Sequence, residues 1–318
     1  MTARRALLPV TAGVTVAVAI WLGVTALANY PADDPDRPVV AATRPSLLDT
    51  AAPGTSPSTP AAPAASAAAT GAPSSASPGV RSSGPRWQPR AGLTWQWQLS
   101  GKLDLSVQAD VYDLDAFTTT AEQVATLHRA GRRVICYVNA GAYEEFRPDR
   151  RRYPAEVLGR GLTGWSGERW VDIRRWDLLE PVLTERFRMC RDKGFDAVEP
   201  DNVDAYANDS GFPLSAADQL AFNRRIAKLA HDTGLAVGLK NDVEQAAELA
   251  PVMDFAVNEE CVKYRECSEL AVFIAAGKPV FHAEYELPAS TFCPVAKPLG
   301  FSSIGKEFAL GAHRVSCP

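Results

Sequence analysis

From Trp87 onward the chain alternates between short apolar runs and longer amphipathic stretches. Runs at residues 94–99, 109–112, 133–139, 197–200, 236–239, 255–257, 279–283 and 301–304 are rich in Val, Ile, Phe and Ala, and read as buried strands. Helical patterns lie between many of them. Residues 120–130 carry Val124 and Leu127 on one face and stop at Gly131. Residues 178–193 stop at Gly194, and 215–233 open on a serine and stop at Gly234. Residues 243–250 and 268–276 fill two further gaps, the second closing at Gly277. Helix, glycine, buried strand, polar strand end: the repeat predicts a parallel sheet. Eight strands in a region of roughly 230 residues predict a (β/α)8 TIM-like barrel. Two places depart from the repeat. Residues 99–109 leave no room for a crossover helix, and 147–177, with Trp165, Trp170 and Trp176, are too long for an ordinary loop.

The polar ends of these runs carry the candidate chemistry. Asp113, Glu199, Asp201, Asp242, Glu259 and Glu284 all stand where a strand leaves the core. Helix caps or ion pairs account for many single acidic residues, but less well for a set gathered at one end of a barrel. Cleaving a glycosidic bond needs one carboxyl to protonate the leaving oxygen and a second to attack the anomeric carbon or activate water. In Asp196-Ala197-Val198-Glu199-Pro200-Asp201, alternation puts Glu199 and Asp201 on one side, with Asp201 nearer the mouth. Glu259 ends the sixth predicted strand, two after that of Asp201. Asp201 and Glu259 are therefore the expected catalytic pair. Trp97, Tyr112, Asp113, Tyr137, Asn139, Glu199, Lys240, Asn241 and Glu284 are the expected substrate-binding residues, with Trp95 and Tyr285 also suited to a sugar. Trp95 and Trp97 share one strand face, and core packing explains them equally well.

The rest of the chain changes the setting. Arg4 and Arg5 precede an apolar, uncharged stretch at 6–28, which fits both a cleaved secretory signal and a retained membrane anchor. Residues 31–86 are dominated by Ala, Pro, Ser, Thr and Gly and are expected to form a disordered linker. The expected organisation is thus an apolar helix at 1–30, a linker at 31–86 and the barrel at 87–318, secreted or anchored at the cell surface. All six cysteines fall in the barrel, and an even number in an exported chain favours disulfides. Of the roughly 15 pairings open to six cysteines, sequence proximity favours Cys261 with Cys267 and Cys293 with Cys317, leaving Cys136 with Cys190.

Other motifs are weak. The glycines at 159, 161 and 164 have dinucleotide-binding spacing but follow no strand, and 300–306 resembles a phosphate loop with Glu307 where a magnesium-binding Ser or Thr belongs. His282-Ala283-Glu284 resembles a deaminase zinc motif without its paired cysteines. No cofactor, metal or nucleic-acid partner is expected.

Several blocks together resemble glycoside hydrolase family 114: Trp95-Gln96-Trp97-Gln98-Leu99, Asp110-Val111-Tyr112-Asp113, Val134-Ile135-Cys136-Tyr137-Val138-Asn139-Ala140-Gly141, the run from Phe195 to Asn202, Val237-Gly238-Leu239-Lys240-Asn241-Asp242, Val257-Asn258-Glu259-Glu260-Cys261 and Val280-Phe281-His282-Ala283-Glu284-Tyr285. The resemblance spans nearly all of 87–318 and rests on the order of the blocks. It implies an endo-α-1,4-polygalactosaminidase on a (β/α)8 barrel, acting on α-1,4-linked galactosamine exopolysaccharide. It also implies an Asp ending the fourth strand and a Glu ending the sixth as the catalytic pair, which fall on Asp201 and Glu259. Deacetylated galactosamine is cationic, and an acidic rim would attract it. The alternatives are a non-catalytic carbohydrate-binding barrel and a hydrolase of another amino-sugar polymer.

Overall fold

The computed structural model describes residues 85–317. The apolar segment at 6–28 and the linker up to residue 84 lie outside the described residues. Among those described, no helix is long and apolar enough to cross a membrane.

The elements run β1 (Trp95–Gln98), β2 (Val111–Asp115), α1 (Ala121–Arg129), β3 (Arg133–Asn139), β4 (Ala142–Glu144), β5 (Leu158–Gly161), β6 (Glu168–Val171), α2 (Trp176–Lys193), β7 (Ala197–Asp201), α3 (Ala216–Thr233), β8 (Ala236–Lys240), α4 (Ala246–Leu249), β9 (Phe255–Glu259), α5 (Cys261–Tyr264), α6 (Ala271–Ala275), β10 (Val280–Glu284), α7 (Ala289–Ala296), β11 (Ser302–Gly305) and β12 (Val315–Ser316). The main sheet has the order β1-β2-β3-β7-β8-β9-β10-β11-β12. Every pairing from β1 to β11 is parallel, and β12 is antiparallel to β11. The eight predicted strands are the eight parallel ones, in chain order. β1 and β11 are joined by side-chain and loop contacts: Trp95 Nε1 donates to the Ser302 carbonyl (2.8 Å), Ser302 Oγ to the Leu93 carbonyl (2.6 Å), and the Leu99 amide to the Leu310 carbonyl (3.0 Å). The chain thus curls into the expected barrel.

Strand alternation separates two cores. Trp95, Trp97, Val111, Ile135, Ala197, Ala236, Phe255, Val257, Phe281, Ala283 and Ile304 pack inside the barrel. Their neighbours on each strand, such as Val134, Cys136, Val198, Val237 and Ala256, pack outward with Val124, Leu127, Phe187 and Ile226 from the helices. Large inward residues gather on β1, β9 and β10, and small ones on β7 and β8. Trp95 lies against Trp97 (ring centroids 5.6 Å) and Phe281 (5.3 Å), while Gly238 makes room for the ring of Phe255.

The helix signals act as expected from the sequence. Thr120 and Gln123 form a reciprocal capping box at α1, Ser215 and Asp218 another at α3, and Gly194 and Gly234 end α2 and α3 in the left-handed conformation. No helix joins β1 to β2. The stretches predicted as helices at 243–250 and 268–276 each begin as a 3-10 turn and become a short α-helix. The disulfides are Cys136–Cys190, Cys261–Cys267 and Cys293–Cys317. The first ties α2 to the outer face of β3.

The long segment after β3 builds its own antiparallel sheet, β4-β6-β5. Two buried arginines clamp it to the barrel. Arg147 reaches Asp115 (2.6 Å) and Glu144 (2.8 Å). Arg186, from α2, reaches Asp149 (2.8 Å), Glu144 (3.4 Å) and the Asn139 carbonyl (2.7 Å). Removing one partner from such a buried network costs about 3–5 kcal/mol, so the segment is a fixed wall.

An added Cβ at Gly238 would lie 2.4 Å from the Phe255 ring, which is held in turn by Phe281. Gly238→Ala is expected to lower stability by about 1–3 kcal/mol, and Phe255→Leu in the same chain to restore part of it, both read from urea unfolding midpoints.

Candidate active site

Inward-facing residues at the C-terminal strand ends build the site. They are Asp113 on β2, Tyr137 and Asn139 on β3, Glu199 and Asp201 on β7, Lys240 on β8 and Glu259 on β9, followed by Tyr285 just after β10. The chain turns sharply beyond three of these ends. Asn202 (φ 59°), Asn241 (φ 50°), Asp242 (φ 44°) and Glu260 (φ 60°) are left-handed, four of the six non-glycine residues with positive φ among those described. Asn and Asp tolerate that conformation, but it costs a glutamate of order 1 kcal/mol. Each turn carries the backbone away while leaving the preceding side chain at the mouth.

Lys240 is the hub. Its Nζ lies 2.8 Å from Asp201 Oδ1, 3.0 Å from Glu259 Oε2 and 3.6 Å from Glu199 Oε1. A single ammonium touching both carboxylates holds those two oxygens no more than about 6 Å apart. Asp201 also accepts from the Tyr137 hydroxyl (2.7 Å) and the Asn202 amide side chain (3.3 Å). Glu259 accepts from Asn241 Nδ2 (3.1 Å) and from the Tyr285 hydroxyl. Asn241 Oδ1 takes the Glu259 backbone amide (2.9 Å), locking that strand end. Burial pushes the Asp201 carboxyl up, but the Lys240 charge and the donors around it outweigh this and hold it below the ordinary range. Burial also disfavours the Lys240 ammonium, yet Asp201, Glu259 and Glu199 keep it well above its usual value. Asp201 and Glu259 remain partly open, with side-chain exposures of 17% and 26%.

Beneath them lies a second, fully buried pair. Asp113 and Glu199 have no exposed surface, and none of their four oxygens receives a hydrogen bond from an N–H or hydroxyl group. The two carboxyls lie within each other's influence, shut away from water. Burial raises both: Asp113 well above its ordinary value, further pushed by Glu199, and Glu199 to about 7 despite the pull of Lys240. Glu199 lies beneath Lys240, and both carboxyls, expected from the sequence to contact substrate, are without exposed surface.

The other expected substrate contacts divide. Tyr137, Lys240 and Asn241 surround the Asp201–Glu259 pair, acting on the carboxylates. Asn139 is buried and ties the inserted sheet down, giving its Nδ2 to Glu168 (3.1 Å) and taking the Ala142 amide (2.9 Å). Trp97 is buried with Trp95 inside the barrel, its ring 5.0 Å beneath the Lys240 ammonium, so the packing explanation of that pair holds. Tyr112 points outward, its hydroxyl pinning the 99–110 loop through the Val107 carbonyl (2.6 Å). Glu284 also points outward, accepting from the Val262 amide (2.8 Å) and pairing with His282 (3.0 Å). An odd offset along β2 and β10 puts Tyr112 and Glu284 on the helix side, away from the mouth.

Three further acidic groups lie nearby: Asp242, one of the acidic strand ends read from the sequence, and Glu168 and Asp204, which were not among the expected contacts. Glu168, on β6, is raised to about 7 by burial and then by Glu144 and Asp201. Burial with Asp201 raises Asp204 to about 6, and burial with Asp204 raises Asp242 to about 8. Glu168 comes from the insertion, where no barrel periodicity points to it. Of the potential metal ligands among the described residues, Cys261, Cys267 and His282 lie together, but the two sulfurs are bonded to each other.

A parallel barrel that gathers carboxylates from separate strands on its C-terminal rim has the form of a barrel glycosidase. The sequence profile of glycoside-hydrolase family GH114 matches residues 77–318, and the chain belongs to that family. It is a glycosidase, endo-α-1,4-polygalactosaminidase-like. Among solved structures, Aspergillus fumigatus Ega3 in complex with galactosamine is 39% identical, with a TM-score of 0.70 over 74% of this chain and 98% of that one. The glycoside hydrolase domain of PelA from Pseudomonas aeruginosa shares the fold at 15% identity, with a TM-score of 0.57 over 70% of this chain and 98% of that one. Among curated proteins none matches the chain.

The raised carboxyls set a pH dependence. The folded protein keeps protons on Glu199, Glu168 and Asp242 that the unfolded chain loses near pH 4–4.5. Stability therefore falls as pH rises from about 4.5 toward 8, by about 1.4 kcal/mol per pH unit for each proton held. The melting temperature is expected to decline across that range, and less steeply in Glu199→Gln, as calorimetry would show.

Proposed function

We propose that this protein is an exported endo-acting glycosidase that cleaves α-1,4-linked galactosamine-containing polysaccharide, with Asp201 as nucleophile and Glu259 as acid/base. The observation that carries the reading is the single Lys240 ammonium bonded to both carboxylates. It holds Asp201 below the ordinary carboxylate range, ready for attack, and it keeps the two facing oxygens within about 6 Å, which favours a retaining mechanism over the wider gap that an inverting enzyme needs for its water. Asp201 Oδ attacks the anomeric carbon while Glu259 protonates the departing oxygen, giving a covalent glycosyl ester on Asp201. Glu259 then takes a proton from water, which cleaves the ester and restores the α configuration. Tyr137 and Asn241 orient the carboxylates, and Glu168 and Asp204 add acidic character that suits a cationic amino sugar. Identity of 39% to a protein solved with galactosamine supports the sugar class. The apolar segment at 6–28 and three disulfides in the barrel support export, by a cleaved signal or as a tethered enzyme with 31–86 as spacer.

The purified protein is expected to release oligosaccharides from partly deacetylated α-1,4-galactosaminogalactan. Asp201→Asn and Glu259→Gln should each lower kcat by about 10³ or more. Activity surviving in both would remove the catalytic assignment, and wild-type activity confined to another polymer in a defined panel would move the substrate. Proton NMR of the first product should show the α anomer; a β anomer would establish inversion.

A further inference from the structure

Four aromatic side chains are exposed among the described residues: Phe146, Trp165, Tyr264 and Phe308. All four sit on segments that follow the C-terminal ends of strands, the face that carries Asp201 and Glu259. Two of them connect to the site. Trp165, in the turn between β5 and β6, stacks on Phe308 from the segment after β11, with ring centroids 5.3 Å apart. Phe308 meets the Tyr285 ring edge-on at 5.4 Å, and the Tyr285 hydroxyl donates to Glu259. A continuous aromatic line thus leaves the proposed acid/base and ends at Trp165, about 11 Å or less from the Tyr285 ring.

Packing does not account for this line. Trp165 remains 47% exposed and Phe308 62% exposed, so their contact removes little surface from water, whereas an exposed aromatic row beside a site marks a binding surface. The turn that presents Trp165 is closed by its own backbone. Gly164 and Gly167 take left-handed conformations, the Trp165 amide bonds the Leu162 carbonyl (3.2 Å), and the Trp165 carbonyl accepts from Glu168 (3.3 Å). The same hairpin places the Glu168 carboxyl near Asp201, and it is fixed to the barrel by Asn139.

We propose that Tyr285, Phe308 and Trp165 form a stacking strip that binds sugar residues of the polymer beyond the scissile bond, so that Trp165 and Phe308 favour long chains over short ones. The proposal rests on the function given above. An aromatic face covers the C–H face of a pyranose, and it attracts a protonated amine through its π electrons. Both fit a galactosamine chain running outward from Glu259, and the exposed Glu307 beside Phe308 adds negative charge on the same segment.

The test titrates the full-length Glu259→Gln protein with α-1,4-galactosamine oligomers of increasing length in a calorimeter. Affinity should rise in a step at the length that reaches Trp165. Adding Trp165→Ala or Phe308→Ala should abolish that step and weaken the longest oligomers about 5–10-fold, while Trp165→Phe keeps it. In the otherwise wild-type protein, the alanine variants should raise KM for the polymer more than they lower kcat. Long oligomers bound within twofold of the parent by both alanine variants would overturn the strip. So would an equal loss at every length, which marks a merely structural contact. If the wild type cleaves no galactosamine polymer, the proposed function fails and the strip with it; if it cleaves and the variants match it, the strip alone fails.

Discussion

The arrangement of the mouth depends on one ammonium buried among three carboxylates. Without Lys240, Asp201, Glu259 and Glu199 would crowd three carboxyl groups into a poorly hydrated space with no cation between them. With it, the two upper carboxylates are drawn toward a single point from strands β7 and β9, on either side of β8. Their separation is then set by the reach of one Nζ. The Asp113–Glu199 pair below has a different electrostatic character: sealed from solvent, both carboxyls are pushed up by burial, so their ionised forms are disfavoured. The barrel interior thus changes from Trp and Phe packing at its base, through a sealed carboxyl pair, to the Lys240-centred layer at the rim.

The insertion after β3 adds a wall to this centre. A loop of its length would be mobile if only its backbone held it. Arg147 and Arg186 replace that freedom with buried ion pairs to Asp115, Glu144 and Asp149, and Asn139 bonds the end of β3 to β6 through Glu168. The wall therefore brings Glu168 to the mouth and holds the Trp165 turn against Phe308 without a crossover helix. The cost is a dense network of buried charge, which stays favourable only while every partner is present.

Much of the architecture could be read directly from the chain. Period-2 apolar runs, helices closed by glycine and a capping serine or threonine are local signals, and the structure follows them at β1–β3, β7–β11, α1 and α3. Parity within one strand also separated Asp201 and Glu199 from their neighbours. Tyr112 and Glu284, chosen by residue type and strand-end position and not by parity, lie one residue out of phase with the inward row. Trp97 was inward, but so deep that it serves as the floor under Lys240 instead of a sugar platform.

The sequence by itself determined the strand count, the order of the parallel sheet, the acidic strand ends and the glycine-closed helices, because each depends on contacts between near neighbours or on side-chain period. Only the tertiary structure decided that Lys240 is the hub, that Asp113 and Glu199 are sealed in together beneath it, and that Trp165 meets Phe308. These contacts join residues far apart in the chain, brought together when the sheet curls and two rim segments meet. A charge's effect on its neighbours falls with distance and with exposure to water. Neither quantity exists in a sequence until the chain has closed.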